Sequence, residues 1–179
     1  FGNTSVPQNE KTPFRPRSPY AISKLYSYWT TINYREAYGI FASNGILFNH
    51  ESERRGENFI TKKVVNAAYR IKKGEKIILE IGNLYSKRDW GYAPDYVEGI
   101  WKILQAKKSD DFVLATGKTY TVKYFIEQTF KHLNMNIKWV GKGMNEKAVN
   151  IKNNKILVKV NKKYFRPLEV NYLQGDYSK

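Results

Sequence analysis

Short apolar runs alternate with longer amphipathic segments along most of the chain, and glycine stands where many of them stop. A helix starts at Ser18–Pro19, where a hydroxyl caps and a proline suits the first turn, and it ends at Gly39. The apolar run "IFASNGILFN" then reads as a buried strand interrupted near Asn44–Gly45. "HESERRGEN" is a polar loop, "FITKKVVNAAYRIKKG" a helix stopping at Gly74, and "KIILEIG" a short strand. A helix from about Pro94 to Lys107, a strand in "DFVLATG", a helix capped by Thr121 and a strand in "IKWV" follow. Strand-like "KILVKV" comes last. Strands alternating with helices predict βαβ units: a mostly parallel sheet with helices on both faces.

Several function classes fall to composition. The 179 residues contain no cysteine, which removes disulfides, thiolate nucleophiles and Cys-based zinc sites. Two histidines, His50 and His132, are too few for a His-rich centre, so no metal is expected. A 41% hydrophobic content allows a packed core. No apolar run approaches the roughly 20 residues of a membrane span, and no signal peptide opens the sequence, so a soluble, cytoplasmic protein is expected. The net charge of +15 points toward an anionic partner. Much of that charge is surface lysine: seven Lys face one Glu between Lys142 and Lys163. No nucleic-acid-binding signature accompanies it, so no nucleic-acid partner is expected. The opening "FGNTSVPQ" and closing "LQGDYSK" read as cuts inside a longer chain.

Tyr20 and Lys24 lie four residues apart at the start of the first helix, hence on one face. An ammonium beside a phenol favours the phenolate, and a phenol so tuned can accept a proton from an alcohol while hydride leaves the same carbon. The spacing alone is a weak signal in a chain with 14 tyrosines and many lysines. Its place at a helix start beside a predicted sheet is where ligands bind in doubly wound folds.

Longer blocks carry a resemblance. "TPFRPRSPYAISKLYSYW", "NHESERRGENF", "IGNLYSKRDWGYAPDYVEGIW", "DFVLATG" and "YFRPLEV" resemble the extended short-chain dehydrogenase/reductases, and within them the GDP-mannose 4,6-dehydratase family. The matching blocks cover most of residues 12–127 and again 164–176. The resemblance implies the C-terminal part of a doubly wound Rossmann-type parallel sheet, plus a smaller α/β substrate-binding domain. Residues 1–50 would end the NADP-binding domain, and 51–179 would be mostly sugar-nucleotide domain with some segments returning to the Rossmann sheet. It further implies that a Gly-rich dinucleotide-binding segment, and a catalytic Thr and Glu, lie before Phe1.

Carried over position by position, Tyr20 and Lys24 would be catalytic, and Lys24, His50 and Arg55 would contact NADP. Asn49, Lys63, Arg88 and Arg166 would surround the diphosphate of GDP-mannose, and Glu169 would accept from the GDP ribose. A homo-oligomer is implied, a dimer through helix 19–38 or a tetramer through Arg54–Arg55. Other readings stay open at this point. His50 could satisfy a loop, Arg54 a subunit contact, Arg88–Asp89 a local ion pair, and Arg166–Pro167 a plain turn. Trp90 and Trp101 are expected in the core. A nucleotide-sugar 4-epimerase of the same family, a basic nucleic-acid-binding module and a non-catalytic relative are the alternative functions.

Overall fold

The first helix, α1 (Pro19–Tyr38), begins and ends as its sequence dictates. Ser18 accepts from the Ala21 amide at 3.1 Å, and Gly39, at φ +65°, donates its amide to the Arg35 carbonyl. The computed structural model describes residues 1–166 and 168–179. They form two units: Phe1–Ser52, Lys87–Tyr120 and Leu168–Lys179 in the first, Glu53–Ser86 and Thr121–Pro167 in the second.

The first unit holds α1 and the strands β1 (Asn44–Leu47), β2 (Asn49–Glu51), β4 (Lys87–Tyr92) and β5 (Asp111–Leu114). Its second helix is α3 (Ala93–Leu104). β1 pairs in parallel with β5, and β2 in parallel with β4. β6 (Thr119–Thr121) completes a three-stranded order β2-β4-β6. No residue of α1 is fully buried; its inner face, with Leu25, Tyr28 and Ile32, is half-buried, and Tyr28 packs edge-on against Phe14. A polar knot adds to this. The buried Asp111 carboxylate accepts from Tyr28 Oη at 2.7 Å, Arg35 at 3.1 Å and Asn44 Nδ2 at 2.9 Å. Burial pushes the Asp111 carboxyl up, but the hydrogen bonds from Tyr28, Arg35 and Asn44 outweigh it and hold the group below its ordinary range. Tyr28 shifts the opposite way, raised first by burial and then by its bond to Asp111.

A second buried carboxylate organises β4. Asp89 is fully buried; Oδ1 accepts from the Thr116 amide at 2.9 Å and its hydroxyl at 2.6 Å. Oδ2 accepts from the Gly117 amide at 2.9 Å and the Gly175 amide at 3.1 Å. One side chain thereby fastens three separated backbone segments.

In the second unit, α2 (Ile60–Lys72) lies beside α4 (Val122–His132). Helical spacing puts Val64 and Ala68 on one buried face of α2, and Val122, Ile126 and Phe130 on one buried face of α4. Thr121 caps α4, accepting from the Tyr124 amide at 3.0 Å. The sheet runs β3 (Leu79–Ile81), β9 (Ile156–Val160), β8 (Lys147–Asn150), β7 (Ile137–Val140). Leu79, Val158 and Ala148 lie in one cross-strand row and are all buried. Strand alternation turns Glu80 to the opposite face, where it bridges Lys159, its register partner, at 2.8 Å.

The fold is α/β with parallel strand pairs, as expected, and it corrects several details. The run at 40–49 does not break at Asn44–Gly45: β1 begins there, and the break falls at Phe48, between two strands that belong to different sheets. Ile40 and Phe41 precede the strand and are exposed. The "KRDWGY" stretch, to which the sequence assigned no element, is β4. The pairs β7–β8 and β8–β9 are antiparallel, with an irregularity at Ala148/Val149. Trp101, expected in the core, is 60% exposed on α3. Helix α3 stops at Leu104 rather than Lys107.

Candidate active site

In the first unit the capped start of α1 presents Tyr20, 71% exposed, with Lys24 one turn further on. The Lys24 ammonium lies 5.5 Å from the centroid of the Tyr20 ring. The pair thus stands together on one face, open enough for a ligand to reach both. Donors of this kind, a phenol and an ammonium, suit the hydroxyls of a sugar or a ribose.

Asn49 and His50 stand side by side on β2, in register with Trp90 and Gly91 of β4. Asn49 thus starts a strand, where the sequence suggested that it ended one. His50 Nδ1 lies 2.9 Å from the Phe48 carbonyl oxygen. A carbonyl only accepts, so Nδ1 is the donor in this contact. The His50 ring stacks on Tyr96, centroids 5.0 Å apart at 29°. Tyr96 is 5% exposed, and its phenol is pushed up by burial and then by the carboxylates Asp89 and Asp95. Gly91 makes this packing possible, because a Cβ there would run into the Tyr96 ring and hydroxyl.

Arg88 and Glu169 meet directly: a guanidinium nitrogen lies 3.3 Å from Glu169 Oε1, both side chains largely buried. The proposed diphosphate arginine and ribose acceptor are thus brought together across 81 residues of sequence. The alternative that Arg88 serves as Asp89's local partner gives way to this bridge, while Asp89 spends both oxygens on Thr116, Gly117 and Gly175.

Three candidates belong to the second unit. The Arg55 guanidinium lies 3.5 Å over the Phe59 ring. Lys63, in the first turn of α2, donates to the Glu80 carbonyl at 2.7 Å and lies 3.6 Å over the Tyr164 ring. Burial lowers the Lys63 pKa, partly opposed by Glu80. Arg166 is exposed, just after a 3-10 turn at Lys162–Tyr164. The turn reading at Arg166–Pro167 involves Pro167, outside the described residues.

The sequence reading missed Tyr96 and Tyr164, and no local signal marks either: each acts on a residue 46 or 101 positions away. It also missed the group around Glu146 in the second unit. That buried carboxylate accepts from Tyr85 Oη at 2.8 and 2.9 Å and from Lys123 at 2.7 Å.

Comparison with known proteins adds a family. A family model described as GDP-mannose 4,6 dehydratase matches residues 1–179. The GDP-mannose 4,6 dehydratase of Drosophila melanogaster is 54% identical over 174 residues, 97% of this chain and 44% of that protein. The Sinorhizobium fredii relative is 53% identical with 97% and 50% covered, and the human one 51% identical with 97% and 47% covered. The chain spans about half the length of these curated relatives. Among solved structures, Pseudomonas aeruginosa RMD complexed with NADPH superposes at TM-score 0.76 and 16% identity, over 97% of this chain and 51% of that one. A Bacillus anthracis dTDP-glucose 4,6-dehydratase in complex with NAD gives 0.74 and 16%, over 98% and 49%. At such identities the likeness is one of fold.

Proposed function

The chain belongs to the GDP-mannose 4,6 dehydratase family, and we propose that it carries the Tyr–Lys pair and much of the sugar-nucleotide site of such an enzyme. The reaction would convert GDP-mannose to GDP-4-dehydro-6-deoxymannose, with net loss of water, which makes the enzyme a carbon–oxygen lyase. The observation that carries the reading is the exposed Tyr20 with the Lys24 ammonium 5.5 Å from its ring, at the capped start of α1.

Tyr20 Oη accepts the proton of the sugar 4-hydroxyl, and Lys24 favours the phenolate that does so. The cofactor is read as NADP, which would supply reversible hydride chemistry between C4 and C6, so that no external oxidant would be consumed. Lys24 offers donors to the nicotinamide ribose, and His50 and Arg55 are assigned to the cofactor. By the resemblance, Arg88 and the Asn49 amide of the first unit, and separately Lys63 and Arg166 of the second, are assigned to diphosphate recognition; an arginine fork matches phosphate oxygens. Glu169 orients Arg88 through their 3.3 Å bridge and accepts from a ribose hydroxyl. The segments Phe1–Ser52, Lys87–Tyr120 and Leu168–Lys179 are read as cofactor-side, and the second unit as mainly substrate-side. Apolar residues exposed along α1, among them Ile22, Tyr26 and Trp29, support a homo-oligomer built on that helix. Among the described residues no helix is long and apolar enough to cross a membrane.

The test joins residues 1–179 to the portion of the Drosophila relative outside the match and assays GDP-mannose conversion by chromatography. The chimera is expected to form the 4-keto product. Its Tyr20→Phe variant should lose turnover by 10²-fold or more, the usual scale for a general acid–base group, while GDP-mannose still binds. Residues 1–179 alone should leave the substrate unconverted. Turnover surviving in the Phe variant would remove Tyr20 from the chemistry.

A further inference from the structure

Lys63 and Tyr164 are 101 residues apart, yet the ammonium sits 3.6 Å over the ring. The contact is built from the end of β3. The Glu80 carbonyl takes one Lys63 N–H at 2.7 Å. The neighbouring Ile81 carbonyl accepts the Asn161 amide at 2.8 Å, and Asn161 Nδ2 donates to Glu80 Oε2 at 2.9 Å. Asn161 also caps the short turn that bears Tyr164, accepting from the Lys163 amide at 2.9 Å. Gly82 completes the seat: a Cβ there would collide with the Tyr164 carbonyl. The same strand end thus holds the lysine and the aromatic that faces it.

We propose that Tyr164 is a positioning residue, its ring holding the Lys63 ammonium in place, charged and ready for a diphosphate oxygen. This rests on the reading of Lys63 as a phosphate-binding cation. A lysine is a flexible point charge, so a fixed position must come from its surroundings. A carboxylate can fix a cation, as Glu169 does Arg88, but it offsets part of the charge. An aromatic face holds an ammonium without adding a negative charge. The Glu80 carboxylate, on the strand whose carbonyl holds Lys63, bonds Lys159 at 2.8 Å and Asn161 at 2.9 Å. One carbonyl uses one of three N–H groups, which leaves donor capacity for a ligand. Burial lowers the Lys63 pKa and Glu80 opposes it in part; the ring face lies against the same ammonium.

The 179-residue chain itself serves for the test. The pH profile of Lys63 acetylation, read by peptide mass spectrometry, reports the state of the ammonium, and calorimetry with inorganic pyrophosphate reports anion binding. Tyr164→Phe keeps the ring and should match the parent in both. Tyr164→Leu should acetylate faster at Lys63 at fixed pH and bind pyrophosphate about three- to tenfold more weakly, the scale of one cation–π contact. In the unmutated chain the Lys63 ε-methylene protons should lie upfield of those of exposed lysines, a ring-current signature that needs no variant to fold. An unshifted ε-methylene, or a Leu variant with the parent's acetylation profile, would overturn the proposal, as would a Phe variant that behaves like Leu. Lys63→Met separates the two readings. Unchanged pyrophosphate affinity there would remove the phosphate role of Lys63, whereas the acetylation and ring-current results judge the Tyr164 contact by themselves.

Discussion

Replacing Asp89 by Asn changes one atom and should unfasten the first unit. The carboxylate accepts four hydrogen bonds in a site with no exposed surface: two from Thr116, one each from Gly117 and Gly175. An amide offers only one acceptor oxygen. Its better orientation aims that oxygen at the Gly117 and Gly175 amides and its NH₂ at Thr116, whose hydroxyl can turn round and accept. The Thr116 amide is then left buried against a donor. An orphaned buried N–H costs about 1–3 kcal/mol, and the surviving bonds lose the reinforcement of a charged acceptor. The expected loss is about 2–4 kcal/mol, and Asp89→Ala, which strands every donor, should cost more. Urea unfolding followed by tryptophan fluorescence gives the total, and amide hydrogen exchange gives its location. Each 1.4 kcal/mol is tenfold, so a loss of about 2–4 kcal/mol should speed exchange at Thr116, Gly117 and Gly175 by roughly 30-fold or more. A variant within about 0.5 kcal/mol of the parent, with unchanged exchange at these three amides, would refute the reasoning.

Two further outcomes follow from the same unit. The Asp111 carboxyl is held below its unfolded value of about 4, so its contribution to stability is complete above that pH and fades as pH falls through the lower folded value. Urea midpoints measured from pH 6 down to 2.5 should drop, and Asp111→Asn should flatten the slope; an equal slope in both proteins would remove Asp111 as its source. Gly91→Ala pushes a methyl into the Tyr96 ring and should cost about 1–3 kcal/mol by overpacking. It should also alter the His50 ring signals in NMR, and normal His50 signals with normal stability would show that the contact yields freely.

The parts of the fold that were legible in advance are those decided within one helical turn. Ser18, Thr121 and Gly39 act on backbone groups three or four residues away, so composition at those positions is enough. That α2 and α4 are helices was legible for the same reason, although their buried faces came only with the fold. The strands that escaped notice, β4, β6 and β8, are three to six residues long and mixed in character. They exist because distant partners complete their hydrogen bonds, as β4 does with β2 some 40 residues earlier. The break at Phe48 has the same origin: the Phe48 amide still bonds Leu114 beside β5, and the next residues pair with β4 instead. Sequence marked Arg88 and Glu169 separately through the resemblance, but their bridge depends on how residues 168–179 return beside β4.

By itself, then, the sequence determined the limits of α1, the cap of α4, the α/β class, and the presence of Tyr20 and Lys24 on one face of α1, all consequences of short-range geometry. Its longer blocks also determined the family. Only the tertiary structure decided what each charged group touches: Asp89 the segments at Thr116–Gly117 and at Gly175, Asp111 the knot beside α1, Lys63 the ring of Tyr164. Those contacts join residues tens of positions apart. Their strength comes from removing charges and rings from water together, which no local pattern of residues can reveal.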